Sequence, residues 1–152
     1  MAIRPRVLFL CSENSCRTQM AEAFLRDIAG DELEVVSAGA EAGDLDPDAV
    51  LAMQEVGIDI SGARTKIVDP YLREKFHYVI TLCDRDQERT CPVFPGAIWR
   101  HTWPVTNINS HEAAGVNRQV AARLVRDKIR ERVNEFVREH HHAGKEKGKS
   151  WS

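Results

Sequence analysis

The chain has 152 residues, 43% hydrophobic and 29% charged, with 21 basic against 23 acidic side chains for a formal net charge of −2. That is enough for one domain with a sheet buried between helices, and the near-neutral balance gives no reason to expect nucleic acid or an anionic membrane as partner. No apolar run approaches the roughly 20 residues of a membrane span and residues 1–6 lack a secretory apolar core, so the expected location is the cytoplasm.

Val7–Leu10 is short and wholly apolar, as a central parallel strand must be. A helix beginning near Cys16 follows, with Met20, Phe24 and Ile28 on one face beside Ala21 and Leu25, and it ends at Gly30. Glu34–Ser37 is a second strand, closed by Ala38-Gly39. Asp46-Pro47 opens a second helix carrying Val50, Leu51 and Val56, which stops at Gly57. Ser61–Lys66 reads as a surface loop and Asp69-Pro70 as the start of a short helix through Lys75. Tyr78–Leu82 is a third buried strand ending on Cys83, and a charged connection, Asp84–Thr90, leads to Cys91-Pro92. Ala97–His101 is a fourth strand. Trp103-Pro104 opens a loop to about Gly115, and a long helix runs from Val116 to Glu139 with Val116, Val120, Leu124, Ile129, Val133 and Phe136 toward the core. The expected fold is α/β, three-layered, with a four-stranded, mainly parallel open sheet. Residues 1–139 form a single domain in this reading. Residues 140–152 read as a disordered tail, in which three successive histidines are more simply solvated than metal-bound.

Cys11-Ser12-Glu13-Asn14-Ser15-Cys16-Arg17-Thr18 joins the first strand to the first helix. A loop that wraps over a helix N-terminus aims N–H groups at one point, where the helix dipole adds positive potential. Cys11 sits in that potential, which favours the thiolate, the attacking form of a cysteine. Arg17 offers a planar fork of donors to a tetrahedral oxyanion. Ser12, Ser15 and Thr18 add hydroxyls, and Asn14 tolerates the left-handed backbone that a tight loop requires. Cys16 is expected to point into the packing of the helix.

Two further cysteines fit the same chemistry. Ligands in an open parallel sheet bind beyond the carboxyl ends of the strands where strand order reverses, and Cys11 and Cys83 both lie at such ends. Cys91 follows eight residues later in a polar segment with slack to bend back. Three thiols so placed can pass a disulfide from the floor of a site outward to a reductant.

The segments Asn14–Glu22, Ser37-Ala38-Gly39, Val56–Ser61, Thr81-Leu82-Cys83 and Cys91-Pro92, with Pro47, carry a likeness from Val7 to about Val137. By these motifs the chain resembles the thioredoxin-coupled arsenate reductases, which share the low-molecular-weight tyrosine phosphatase fold. The resemblance implies that Cys11 attacks arsenate while Arg17 and the loop amides hold its oxygens. Cys83 would then attack Cys11 to release arsenite, and Cys91 would attack Cys83, leaving a Cys83–Cys91 disulfide for thioredoxin. No bound cofactor or metal is implied, only an external thiol reductant.

The chain departs from that pattern in four places. Asn107 stands where the family has an aspartate general acid, and an asparagine delivers no proton; Asp84, Asp86, Glu88 and His111 are the candidate substitutes. Glu13 replaces a glycine of the loop and puts a carboxylate at its rim. Some relatives bind potassium through positions matching Asn14, Glu22 and Ser37 plus an aspartate, and here Lys66 takes the aspartate's place, so no potassium is expected. The Cys83-to-Cys91 segment is one residue longer. Two other functions compete with arsenate reduction: a tyrosine or small-molecule phosphatase, and a non-catalytic oxyanion-binding or thiol redox-sensing module.

Overall fold

Strand β1 (Arg6–Cys11) is buried at every position but its first, as a strand covered on both faces must be. It pairs on one side with β2 (Glu34–Gly39) and on the other with β3 (Phe76–Thr81), which pairs in turn with β4 (Ala97–Thr102). The order is β2-β1-β3-β4 and every pair is parallel, so the expected four-stranded sheet is present. The computed structural model describes residues 4–84 and 92–142. Among these, no helix is long and apolar enough to cross a membrane.

Helices α1 (Arg17–Ala29), α2 (Pro47–Gln54), α3 (Ile108–Ala113) and α4 (Arg118–Phe136) complete the body. One face of the sheet, with Val7, Phe9, Val35 and Ile80, packs on Met20, Phe24 and Leu25 of α1 and Val125, Ile129 and Val133 of α4. Leu8, Leu10, Ala38 and Val79 face the other way onto Val68, Phe76, Phe94 and Tyr71, the last in a 3-10 turn at Asp69–Tyr71. That turn is all the structure keeps of the helix expected through Lys75.

Local cap chemistry explains where the helices start. Asp46 caps α2, its side chain accepting from Asp48 N, with Pro47 at the first helical position as expected. Asn117 caps α4, which therefore starts two residues later than the periodicity indicated. Past Phe136 the α-helix gives way to a wider π-type stretch, Val137–His142. The His140 ring packs 4.8 Å from Phe136 and 5.4 Å from Tyr78, so residue 140, read from the sequence as the first of the tail, lies against the folded body.

Two expectations need correction. The stretch read as loop up to Gly115 contains α3, which Asn107 starts by accepting from Ser110 N and which buries only Ile108. One buried residue gives no periodic signal. Ile28, Leu51, Val120 and Leu124, expected in the core, are all exposed. Alanines hold the contacts instead: Ala49 and Ala52 of α2 and Ala121 and Ala122 of α4 are buried, and their small size lets the helix backbones approach.

Candidate active site

β1 delivers Cys11 to the point where strand order reverses, since β2 lies on one side of it and β3 on the other. The loop that follows is bonded along one edge to residues 40–46. Ala40, Glu41, Gly43 and Asp46 donate their N–H groups to the carbonyls of Cys11, Ser12, Glu13 and Ser15 at 2.9–3.1 Å. The loop's acceptors are thus consumed outside the pocket. At Gly39 the backbones come so close that a Cβ would sit 2.7 Å from both Asn14 N and Glu41 O, which leaves glycine as the residue that fits.

Asn14 turns the loop. Its φ of 56° is the one positive value outside glycine among the described residues, as the sequence led us to expect of an asparagine. Its buried amide donates to Thr18 Oγ1 at 2.8 Å and Ser37 Oγ at 2.9 Å, and its Oδ1 accepts from Lys66 N at 2.8 Å and Gln19 Nε2 at 2.9 Å. Cys11 Sγ lies 3.0 Å from Thr18 Oγ1 and accepts from Asn14 N at 3.2 Å. The sulfur is therefore fixed by the residues that fix the loop.

α1 begins at Arg17 with no side-chain cap from Cys16 and no acidic residue in its first turn. A helix start without a side-chain acceptor is suited to an anion. The pocket in front of it is lined by Cys11, Ser12, Glu13, Ser15, Cys16, Arg17, Asp46, Asn107, Ile108 and Asn109. Arg17 is buried, and its Nη1 donates to Leu82 O at 3.1 Å and Val105 O at 3.0 Å. Cys16 is buried in the core cluster, and burial, reinforced by nearby Asp46, pushes its thiol well above the ordinary range. A thiol held neutral in this way is a packing group, the role expected of it.

A family model of low molecular weight phosphotyrosine protein phosphatases matches residues 6–141. The chain belongs to this family. The arsenate reductase of Bacillus licheniformis is 42% identical over 131 residues, covering 86% of this chain and 94% of the relative. A solved arsenate reductase in its phosphate-binding state superposes with a TM-score of 0.73 at 29% identity, covering 89% of this chain and 98% of that one. A thioredoxin-dependent arsenate reductase of Corynebacterium glutamicum superposes at 0.62 and 31% identity, covering 88% of this chain and 62% of the longer one.

All seven residues from Ser12 to Thr18 lie in or directly behind the Cys11 loop. Glu13 is exposed and its side chain lies against Gly43, 3.2–3.5 Å from the space a Cβ there would fill. Cys83 follows the Leu82 N to Leu10 O bond of 2.8 Å that extends the β1–β3 ladder. It is fully buried and disulfide-bonded, whereas Cys11 and Cys16 are free thiols. Cys91, Asp86 and Glu88 lie outside the described residues.

Of the other candidate proton donors, Asp84 accepts from Thr106 at 3.4 Å. His111 sits in α3 and does not line the pocket. Lys66 lies beside Glu22, its Nζ 3.7 Å from Glu22 Oε1, the same oxygen that accepts from Ser37 Oγ at 2.5 Å. A cleft of about 660 Å³ opens beside this ion pair and is lined by Gln19, Glu22, Arg26, Asp59 and Arg64 among others, but by no cysteine. The sequence reading missed Asp46 as a pocket wall. As the residue before a proline at a helix start, its pattern already had a complete local explanation.

Proposed function

We propose that this protein reduces arsenate to arsenite through a relay of Cys11, Cys83 and Cys91. The Cys11 thiolate attacks arsenic and forms an S–As bond as a hydroxyl leaves with a proton as water. Arg17 and the amides at the start of α1 hold the remaining oxygens. Cys83 attacks the Cys11 sulfur, forming a Cys11–Cys83 disulfide, and the S–As electron pair departs with arsenic as arsenite. Cys91 then attacks Cys83, which frees Cys11 and leaves a Cys83–Cys91 disulfide for an external dithiol such as thioredoxin. Two electrons pass from two thiols to arsenic, and the dithiol restores them. A reducing cytoplasm suits a nucleophile that must rest as a thiol.

One observation carries this reading: Cys83 lies just past the ladder that joins β3 to β1, and it is oxidised while Cys11 is free. A disulfide at Cys83 that involves neither Cys11 nor Cys16 supports a relay in which the bond ends up away from the attacking sulfur. Similarity to arsenate reductases, one of them thioredoxin-dependent, supports the choice of substrate and reductant.

The test is disulfide mapping by mass spectrometry after the reduced protein meets arsenate. A Cys83–Cys91 bond that forms in the native chain and is absent in Cys11→Ser is the expected result, with Cys83→Ser stalling before arsenite release. Arsenite released at the native rate by Cys83→Ser would end the relay.

A further inference from the structure

The oxyanion pocket has two carboxylates in its lining, Glu13 and Asp46. Glu13 is exposed and lies along Gly43, whereas Asp46 is largely buried and its backbone N is bonded to Ser15 O at 2.9 Å. One Asp46 oxygen caps α2 through Asp48 N at 2.9 Å; the other meets Arg118 Nη2 at 2.9 Å. The same guanidinium donates through Nε to Asp48 Oδ2 at 2.9 Å, and through Nη1 to Asn109 Oδ1 at 2.8 Å and Glu112 Oε1 at 3.2 Å. It thereby ties Asp46, the pocket-lining cap of α2, to α3, whose Ile108 and Asn109 also line the pocket. Arg118 itself is not part of the lining.

Its position is unfavourable for its own helix. Arg118 is the first residue of α4, whose first turn holds no acidic side chain, and a helix dipole disfavours a cation there. Local helix stability therefore does not account for an arginine at this position. Its partners do: hydrogen bonding to Asp48 first, and the neighbouring Glu112 and Asp46, hold the guanidinium firmly protonated. An anion entering the pocket meets Asp46 already paired.

We propose that Arg118 is a positioning residue that sets the pocket's affinity for oxyanions, masking the charge of Asp46 while bracing α3 at the mouth. This rests on the reading of the Cys11 loop as an oxyanion site. Without the guanidinium, a bare carboxylate in the wall stands beside a bound dianion, a repulsion that weakens binding on the order of tenfold.

The test uses the full chain and inorganic phosphate, with protection of Cys11 from iodoacetamide as the readout. Arg118→Met is expected to need about tenfold more phosphate for half-protection, and Arg118→Met with Asp46→Asn to return to within about twofold of the native chain. Asparagine still caps α2, so Asp46→Asn alone is expected to bind at least as tightly as the native protein; this arm decides the matter if Arg118→Met does not fold. In turnover, Arg118→Met raises KM for arsenate and leaves kcat within about twofold.

A double variant as weak as Arg118→Met would reduce Arg118 to a brace and overturn the masking. Equal protection in Arg118→Met and the native chain, or weaker binding by Asp46→Asn alone, would do the same. Native Cys11 that phosphate does not protect at all would remove the oxyanion reading, and this proposal with it.

Discussion

Asn107 stands at the pocket mouth with a side chain that caps α3 and has no proton to give. Aspartate caps a helix as well as asparagine does, so Asn107→Asp changes the chemistry of the position and leaves the fold alone. A positioned general acid is worth about 10²–10⁴ in rate where the leaving oxygen needs a proton. Hydrolysis of phenyl phosphate, whose leaving group is poor, is therefore expected to rise by about a hundredfold. The proposed arsenate reduction should move little, because water leaves arsenic more easily than phenoxide leaves phosphorus. An unchanged phosphatase rate would show that residue 107 does not face the leaving oxygen. Asn14 offers a second comparison within one residue. Its side chain makes four hydrogen bonds and its φ is 56°. Asn14→Gly loses the bonds and keeps the turn, while Asn14→Ala also forces a β-carbon into the left-handed region at about 1–2 kcal/mol. Urea unfolding should rank alanine below glycine by about 1 kcal/mol; the reverse order would contradict the left-handed loop.

Between elements, α2 and α4 are held by Ala52 and Ala121–Ala122 packing and by Glu55, which accepts from Arg123 at 2.7 Å and from Arg126 at 2.7 Å. Those bonds, Arg123's first, lower the Glu55 carboxyl from 4.5 to about 2. A depressed carboxyl adds stability above its unfolded pKa, and that stability fades as pH falls toward the folded value. Glu55→Gln is accordingly expected to unfold earlier than the native chain at pH 7, with the gap closing between about pH 4.5 and pH 2. Salt should narrow the gap too, because the Arg123–Glu55 pair is exposed. A gap that persists at pH 2 would point to packing instead. The same helices show what the sequence could and could not reveal. Asp46-Pro47 marked the start of α2 because a cap is a local pattern, and the run Val7–Leu10 marked a central strand because burial on both faces leaves no polar position. The buried face of α4 was read correctly at Ile129, Val133 and Phe136 and misjudged at Val120 and Leu124, because alanine carries little hydrophobic weight, yet it decides how near two helices come. The loop after β1 was legible through Cys11, Asn14 and Arg17, whose types suit the turn and the charge. Asp46 and Arg118 were not, since their meeting spans 72 residues and follows from the tertiary fold alone.

For the molecule as a whole, Arg17 is where the pocket and the frame meet. It begins α1, lines the pocket, and donates to the main chain at Leu82, just past β3, and at Val105, beyond β4. An anion bound there is held by groups from several parts of the chain that come together only in the folded state. Phosphate should then stabilise the entire fold by mass action, by about 2.7 kcal/mol at one hundred times its dissociation constant. For a chain of this length that raises the thermal midpoint by about 5–10 °C. Arg17→Met should lose this rise, and its midpoint without phosphate should also fall, because the buried carbonyl of Val105 loses its arginine donor at about 1–3 kcal/mol, while that of Leu82 keeps Val105 N at 3.3 Å. Differential scanning calorimetry with and without phosphate separates the two effects. If Arg17→Met loses basal stability yet keeps the full phosphate rise, Arg17 is a strut between strands and the anion is held by the loop amides alone. If it keeps basal stability and loses the rise, the carbonyl bonds at Leu82 and Val105 contribute nothing measurable to the frame. Only both losses together fit a guanidinium that joins the strand exits to the ligand, and through them ties anion binding to the segment that carries Cys83.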